Sequence, residues 1–397
     1  MKKKNRVLII VENLPLPFDR RVWQEATTLR KNGYQVAIIC PKGRGYSEEY
    51  ELLEGIHIYR HPLPLEAEGA LGYLLEYSSA LYFEFMLSLK ILARHGFDII
   101  HACNPPDDIF LIGWFYKFFF GKRFLFDHHD INPELYIAKF GKKDRFYRLM
   151  LLWERLTFKT ADISIATNDS YRKIAIQRGG MKPEDVFVVR SGPDLKRVKK
   201  VPPHPKWKKG RKFLVGYVGV MGAQEGLDML LKGIAWLIHD LKRHDTHFLL
   251  IGGGTELEAL KELANQLKID PFVTFTGRVP DGLLMEALST ADICVNPDIV
   301  NDMNDKSTMN KIMEYMGLGK PIVQFEMTEG RFSADEASLY ARPNDVQSFM
   351  EKIQHLLDDP ALREKMGAFG IERVKNNLEW RHEIPKLLAA YEAVQRK

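Results

Sequence analysis

Apolar, strand-like runs alternate with helical patterns twice along this chain, and that rhythm restricts it to parallel α/β sheets wound in both directions. The first series takes in Val7 to Val11, a helical pattern over 21–32, Gln35 to Cys40, Ile99 to Ala102, Phe124 to Asp127, Asp162 to Thr167 and Val186 to Arg190. From Pro193 to Arg211 the sequence is rich in Pro and Lys and loses periodicity, which marks an interdomain linker. The second series starts at Phe213 to Gly219 and passes through Phe248 to Gly254, Val273 to Gly277 and Ile293 to Pro297, closing with Pro321 to Phe325. At 397 residues the chain exceeds one ordinary hydrophobic core, so two domains are expected. Ligands in such sheets lie beyond the carboxyl ends of the strands, and two facing domains imply a site in a cleft.

Composition narrows the class. The three cysteines, Cys40, Cys103 and Cys294, lack CxxC or Cys/His spacing, which argues against a disulfide framework or structural zinc and for buried free thiols in a reducing cytoplasm. The apolar run Val7 to Val11 is broken by Glu12, so it reads as a first strand and not as a signal peptide. Even the stretch from Leu71 to Leu92 contains Glu76, Glu84 and Lys90, so no segment is expected to span a bilayer. Charge is uneven: residues 1–200 hold 32 Lys and Arg against 24 Asp and Glu, while the remainder holds 25 against 28. A basic first half suits anionic headgroups or a phosphorylated acceptor, although it also solubilises. The basic residues are dispersed and come without a nucleic-acid-binding motif.

The polar loop that enters a helix between Asn304 and Val323 carries the clearest chemistry. Ser307 or Thr308 can cap that helix, its first-turn amides, including that of Asn310, favour an anion, and Lys306 and Lys311 add positive charge. Glu314, about two turns beyond Lys306 on the same short helix, can accept hydrogen bonds from sugar hydroxyls. A nucleotide diphosphate sugar offers both groups. The glycine-rich turns 219–226 and 252–254, with Gly222 and Gly253, allow backbone amides to approach a ligand. In the first half, Phe126 to Glu134 follows a strand and contains His128, His129 and Asp130, residue types that donate to a sugar hydroxyl or take up a proton. Asp19 is a credible N-cap, and Arg20 or Arg21 beside it can meet a phosphate. Two aromatic and basic stretches, Trp114 to Phe126 and Arg145 to Lys159, read as amphipathic core helices or as an interfacial face toward a membrane.

Together these blocks resemble the retaining glycosyltransferases of family 4, from Arg6 to about Tyr391. The resemblance implies a GT-B fold: an acceptor-binding Rossmann-like domain over 1–197, a donor-binding one over 198–381, and a helix over 382–397 that crosses back to the first. It also implies a base contact at Arg278 and Val279, ribose recognition by Glu314, His129 rather than His128 as the functional histidine, and acceptor recognition or base duty for Asp130 and Glu134. The chain departs from the family pattern where a loop Arg and Lys give way to Val220 and Glu225, and where the first Glu of a Glu-x7-Glu signature becomes Lys306. Lys306, Lys311 and Arg20 or Arg21 are then the cations left for a pyrophosphate. The function implied is sugar transfer from a nucleotide diphosphate sugar, with UDP the expected carrier, to a glycan or polyprenyl-diphosphate-linked acceptor in O-antigen or exopolysaccharide synthesis. No metal or cofactor is expected, and the place of action is the cytoplasm, at the inner face of its membrane. A sugar-nucleotide 2-epimerase and a non-catalytic GT-B scaffold are the alternatives.

Overall fold

The computed structural model describes residues 5–62 and 69–397 and divides into two units, Met1–Ser191 with Glu383–Lys397, and Gly192–His382. In the first unit, β1 (Arg6–Val11), β2 (Gln35–Pro41), β3 (Tyr50–Leu53), β4 (Ile56–His61), β5 (Ile99–Cys103), β6 (Arg123–His128), β7 (Ile163–Ala166) and β8 (Val186–Val188) form one sheet in the order β3-β4-β2-β1-β5-β6-β7-β8. Only β3 runs antiparallel. The winding reverses between β1 and β5, which pair in parallel from Val7 opposite Ile99 to Val11 opposite Cys103. Helices α1 (Arg20–Lys31), α2 (Gly69–Arg94), α3 (Phe110–Phe120), α4 (Asn132–Phe140), α5 (Arg145–Thr160) and α6 (Asp169–Gln177) connect the strands. Because helices cover both faces of a parallel sheet, the central strands are buried throughout, which accounts for the unbroken apolar run in β1. Asp19 does cap α1, its carboxylate accepting the Val22 N–H at 3.1 Å.

In the second unit, β9 (Phe213–Val218), β10 (Thr246–Ile251), β11 (Val273–Gly277), β12 (Ile293–Asn296), β13 (Ile322–Phe325) and β14 (Ser338–Ala341) form an all-parallel sheet, order β11-β10-β9-β12-β13-β14, reversing between β9 and β12. Its helices are α7 (Leu227–His239), α8 (Leu257–Gln266), α9 (Asp281–Thr290), α10 (Asp302–Lys306), α11 (Asn310–Gly317), α12 (Thr328–Ala334), α13 (Val346–Asp358) and α14 (Pro360–Arg373). One face is filled by α7, α8 and α13, and the other by α9 and α11. The last helix, α15 (Ile384–Arg396), belongs to the first unit, against β6, β7 and β8.

The Pro- and Lys-rich stretch is not a free linker. The division falls between Ser191 and Gly192, because Leu195 and Val198 already pack into the core of the second unit beside Gly317. The three cysteines are free and buried, and burial pushes the Cys40 and Cys294 thiols up to about 12. Among the described residues no helix is long and apolar enough to cross a membrane.

Candidate functional site

At the carboxyl ends of β5 and β6 the first unit gathers a polar cluster inside an apolar frame. Asp127 and His129 are two residues apart at the end of β6, so their side chains leave the strand on one face. His129 Nε2 lies 2.5 Å from Asp127 Oδ2 and donates to it. Arg21, on α1, donates from Nη2 and Nε to the same carboxylate at 2.8 and 3.2 Å, and from Nη1 to the Val189 carbonyl at 2.9 Å. Burial alone would raise the Asp127 carboxyl, but Arg21, His129 and His101 overcome it and hold it well below the ordinary range. Glu25 takes the opposite course: burial, with the charge of Asp127 nearby, pushes it well above normal despite Arg21 at 3.1 Å. The buried group is therefore a single ion pair, Arg21 with Asp127, beside a protonated Glu25. His101, whose burial lowers its pKa, completes it, with Nε2 3.4 Å from Asp127 and Nδ1 2.7 Å from the Tyr391 hydroxyl on α15.

This arrangement separates the two adjacent histidines. His128 is fully buried among Phe126, Phe158 and Tyr171, and burial with the charge of Arg178 lowers it to about 3. It is a packing residue. His129 is half-buried, and with Nε2–H committed to Asp127 its Nδ1 can accept from a hydroxyl, or donate once protonated. Asn104 fixes the loop: its Oδ1 accepts the N–H groups of His129 and Asp130 at 2.7 and 3.2 Å, while its Nδ2 donates to the Asp130 carbonyl at 2.7 Å. Burial raises the Asp130 carboxyl against the charges of His129 and Lys139. An apolar cleft of about 480 Å³ lies alongside, lined by Tyr77, Asn132, Leu135, Tyr136, Lys139, Phe140, Phe146 and Met150.

Two expected contacts are corrected here. Arg21 is buried at the centre of the cluster and does not present its guanidinium to a phosphate. Glu134 is buried and clamped by Arg178, Oε1 and Oε2 accepting at 2.6 and 3.0 Å, and Arg178 binds Glu154 as well. Its carboxylate is occupied, which removes it as a ready base. Arg20 lies exposed at the start of α1.

In the second unit three turns converge beyond β9, β10 and β12. Gly226 has φ +65°, and a Cβ there would sit 2.1 Å from the Pro297 carbonyl oxygen; at Gly252, φ +135°, it would sit 1.9 Å from that of Gly219. These glycines are required for the backbones to approach so closely. Gly253 faces open space, Gly222 opens the short turn before α7, and exposed Arg278 with Val279 follows β11.

The expected single helix holding Lys306 and Glu314 is two helices. Asn301 caps α10 by accepting the N–H groups of Met303 and Asn304, and Lys306 is its last residue. Ser307 turns its hydroxyl back to the Met303 carbonyl at 2.8 Å, a local competition that favours ending a helix, and Ser307, Thr308 and Met309 form the link. Neither Ser307 nor Thr308 caps α11, which begins after Met309 with no side-chain cap. Lys306 pairs with Asp302 and Glu314 with Arg197. Asn310 is exposed at the start of α11.

Lys311 is held by two carboxylates, Glu225 and Asp298, each at 2.8 Å. Burial acts against its charge, but Asp298, Tyr217 and Glu225 raise its pKa well above normal. Asp298, pushed by burial to about 7 in spite of Lys311, shares a proton with Glu225, which burial would raise but Lys311 holds down. The cation foreseen for a phosphate is thus neutralised by its neighbours. Asp127, Glu25, His101, Asn104, Arg197 and Asp298 were missed as members of the two clusters. The available signal was polar residues at the carboxyl ends of otherwise apolar strands, such as His101 in β5 and Asp127 in β6.

The fold and the two clusters define a GT-B protein of two parallel-sheet units. Two family descriptions match it in succession, Glycosyltransferase Family 4 over residues 19–197 and Glycosyl transferases group 1 over residues 212–359, and the chain belongs to these glycosyltransferases. It is 31% identical over 147 residues to the lipopolysaccharide core biosynthesis glycosyltransferase LpsD of Rhizobium meliloti (strain 1021), covering 36% of this chain and 41% of that protein. With the O-antigen chain mannosyltransferase B of Escherichia coli it shares 25% identity, covering 44% of each. The chain thus spans less than half the length of these two curated relatives. Among solved structures, sucrose-phosphate synthase from Thermosynechococcus elongatus superposes with a TM-score of 0.81 at 20% identity, covering 99% of each chain. Anabaena Alr3699/HepE in complex with UDP-glucose superposes at 0.76 with 15% identity, covering 98% of this chain and 99% of that one. At these identities the likeness establishes the fold.

Proposed function

We propose that this chain is a retaining glycosyltransferase that moves a sugar from a nucleotide diphosphate sugar to a glycan or polyprenyl-diphosphate-linked acceptor during surface-polysaccharide synthesis. The observation that carries the reading is the Asp127–His129 pair: an ionised, buried carboxylate fixing a half-buried imidazole at the carboxyl end of a parallel strand. The mannosyltransferase and core-glycosyltransferase relatives support it, as does a neighbour solved with UDP-glucose.

In this proposal the acceptor hydroxyl is oriented by His129 Nδ1 and by Asp130. It attacks the anomeric carbon on the face from which the nucleoside diphosphate departs: the new carbon–oxygen bond forms as the bond to phosphate breaks, and the acceptor proton leaves with a phosphate oxygen. The uncapped amides of α11 face the departing charge, while the open turns at Gly222 and Gly253 approach the nucleotide. Glu314, Arg278 and Val279 serve the nucleoside, UDP being the expected carrier. Lys306 and Arg20 remain candidates for phosphate, and Lys311 joins them when its carboxylates are protonated or displaced. No resident metal is proposed, and the work is done at the cytoplasmic face of the membrane.

A non-catalytic scaffold is the second reading, favoured by the neutralised Lys311. Titration of UDP, GDP and their sugar conjugates, followed by assay for release of the nucleoside diphosphate with acceptor extracts, separates the two. Donor binding with turnover that fails in His129→Ala supports the transferase; binding without turnover across the panel supports the scaffold.

A further inference from the structure

Helices α2, α3 and α5 carry more than half of the exposed large apolar side chains among the described residues. The inner face of α3 is ordinary: Ile112 and Tyr116 are buried, and Gly113 lies so close to β6 that a Cβ would come within 2.5 Å of Phe124. Its outer face is not. Leu111, Trp114 and Phe118 follow one another at helical spacing, with Trp114 51% and Phe118 70% exposed and their rings stacked 5.6 Å apart; Phe119 beside them is 59% exposed. Helix α2 packs alongside through Phe85, 5.0 Å from Phe115, and turns Tyr82 and Met86 outward. A soluble chain rarely leaves so many large rings in water unless something covers them.

The charges on these helices identify the cover. The outward stripe of α5 reads Arg145, Arg148, Leu152, Arg155 and Lys159, at intervals of three and four, and all five are exposed. The sole acid on α3 or α5 is Glu154, buried and bound to Arg178, so every exposed charge on the two helices is positive. Lys117 ties α3 to the end of α5 by donating to the Thr160 carbonyl at 2.8 Å. An aromatic ridge thus lies beside a basic one, and that pairing suits the boundary of a bilayer, where rings enter the acyl edge and guanidinium groups meet phosphate.

We infer that the α2–α3–α5 face is a docking surface for an anionic lipid bilayer, with Trp114 and Phe118 inserted and Arg148 and Arg155 on the headgroups. This deepens the transferase reading by locating where a lipid-linked acceptor is met, yet it stands on the face itself. The test therefore uses no nucleotide or acceptor: flotation of the full-length protein with vesicles of phosphatidylcholine alone, or with about one-third phosphatidylglycerol. Binding to the anionic vesicles should exceed binding to the neutral ones by at least about tenfold and fall as salt is raised. Trp114→Ser with Phe118→Ser should lower it at least about tenfold, and Arg148→Gln and Arg155→Gln about fivefold each, with melting temperature unchanged. Equal flotation of wild type and both sets of variants, or none by wild type at low salt, overturns the inference. So does a Trp114→Ser, Phe118→Ser protein that passes from dimer to monomer while floating as before, because a second copy would then be the cover. Nucleotide titration and transfer to a water-soluble acceptor, run on the same variants, report separately on the transferase reading.

Discussion

Replacing Arg21 by Met tests the buried cluster most severely, because the apolar volume is retained while the charge is removed. Arg21 gives two charge-assisted hydrogen bonds to Asp127 and one bond to the Val189 carbonyl, all out of water. Removing one partner of a buried ion pair costs about 3–5 kcal/mol, since the surviving charge is left uncompensated. The loss belongs to the first unit, so hydrogen exchange of β6 amides should speed up by about two to three orders of magnitude at pH 7 while β10 in the second unit is unaffected. The deficit should also depend on pH. In the wild type the Asp127 pKa is depressed, so its contribution is present above the unfolded value of about 4 and lost as pH falls through the folded one. Without Arg21, burial prevails and the carboxyl is raised, so acid now relieves the variant, and the gap between the two proteins should narrow from pH 7 to pH 5. A deficit below about 1 kcal/mol, or one that widens on acidification, refutes the assignment of Arg21–Asp127 as the charged pair.

Glu84 on α2 is fully buried with both carboxyl oxygens unpartnered, and burial beside Glu12 and Asp108 raises it well above normal. Glu84→Met should stabilise the first unit by about 1–3 kcal/mol at pH 8, read by denaturant unfolding. Because burial pushes Glu12 up to about 8 and Asp108 to about 7, the wild type should lose stability as pH rises through 7 to 8, and melting temperatures at pH 6 and pH 8.5 check the sign. Protonation of Asp298, pushed by burial to about 7, leaves Lys311 facing one carboxylate, so UDP should bind several-fold more tightly at pH 6 than at pH 8 by calorimetry, with Glu225→Gln flattening that dependence. His129→Ala should lower turnover about a hundredfold or more with little change in nucleotide affinity, whereas His128→Phe should leave turnover near wild type.

The fold was legible because its signal is periodic and local. Continuous apolar runs such as Val7 to Val11 can only be strands covered on both faces, and their order with the helices leads to doubly wound sheets. The N-cap at Asp19 was equally local. The sites were legible as positions but not as partnerships. His129 could be preferred to His128 through family likeness, yet the physical reason, one ring among Phe158 and Tyr171 and the other on Asp127, needs residues brought together from β5, β6 and α1. Arg21, Glu134 and Lys311 read as available charges because a sequence does not reveal that Asp127, Arg178, and Glu225 with Asp298 are waiting for them. The break between Lys306 and Asn310 was hidden because Ser307 looks like a helix start and instead returns its hydroxyl to Met303. The domain limit was displaced because Pro and Lys suggested a connector, while Leu195 and Val198 are apolar enough to join the core.

The central claim is sugar transfer. Its most direct test supplies the purified protein with a panel of labelled UDP- and GDP-sugars and a bacterial lipid extract, and follows both label in the lipid or glycan fraction and release of nucleoside diphosphate. The account predicts matched transfer and release from one donor, abolished or reduced about a hundredfold by His129→Ala and unaffected by His128→Phe. Donor binding with no label moved across the panel, or transfer that persists at full rate in His129→Ala, would contradict it.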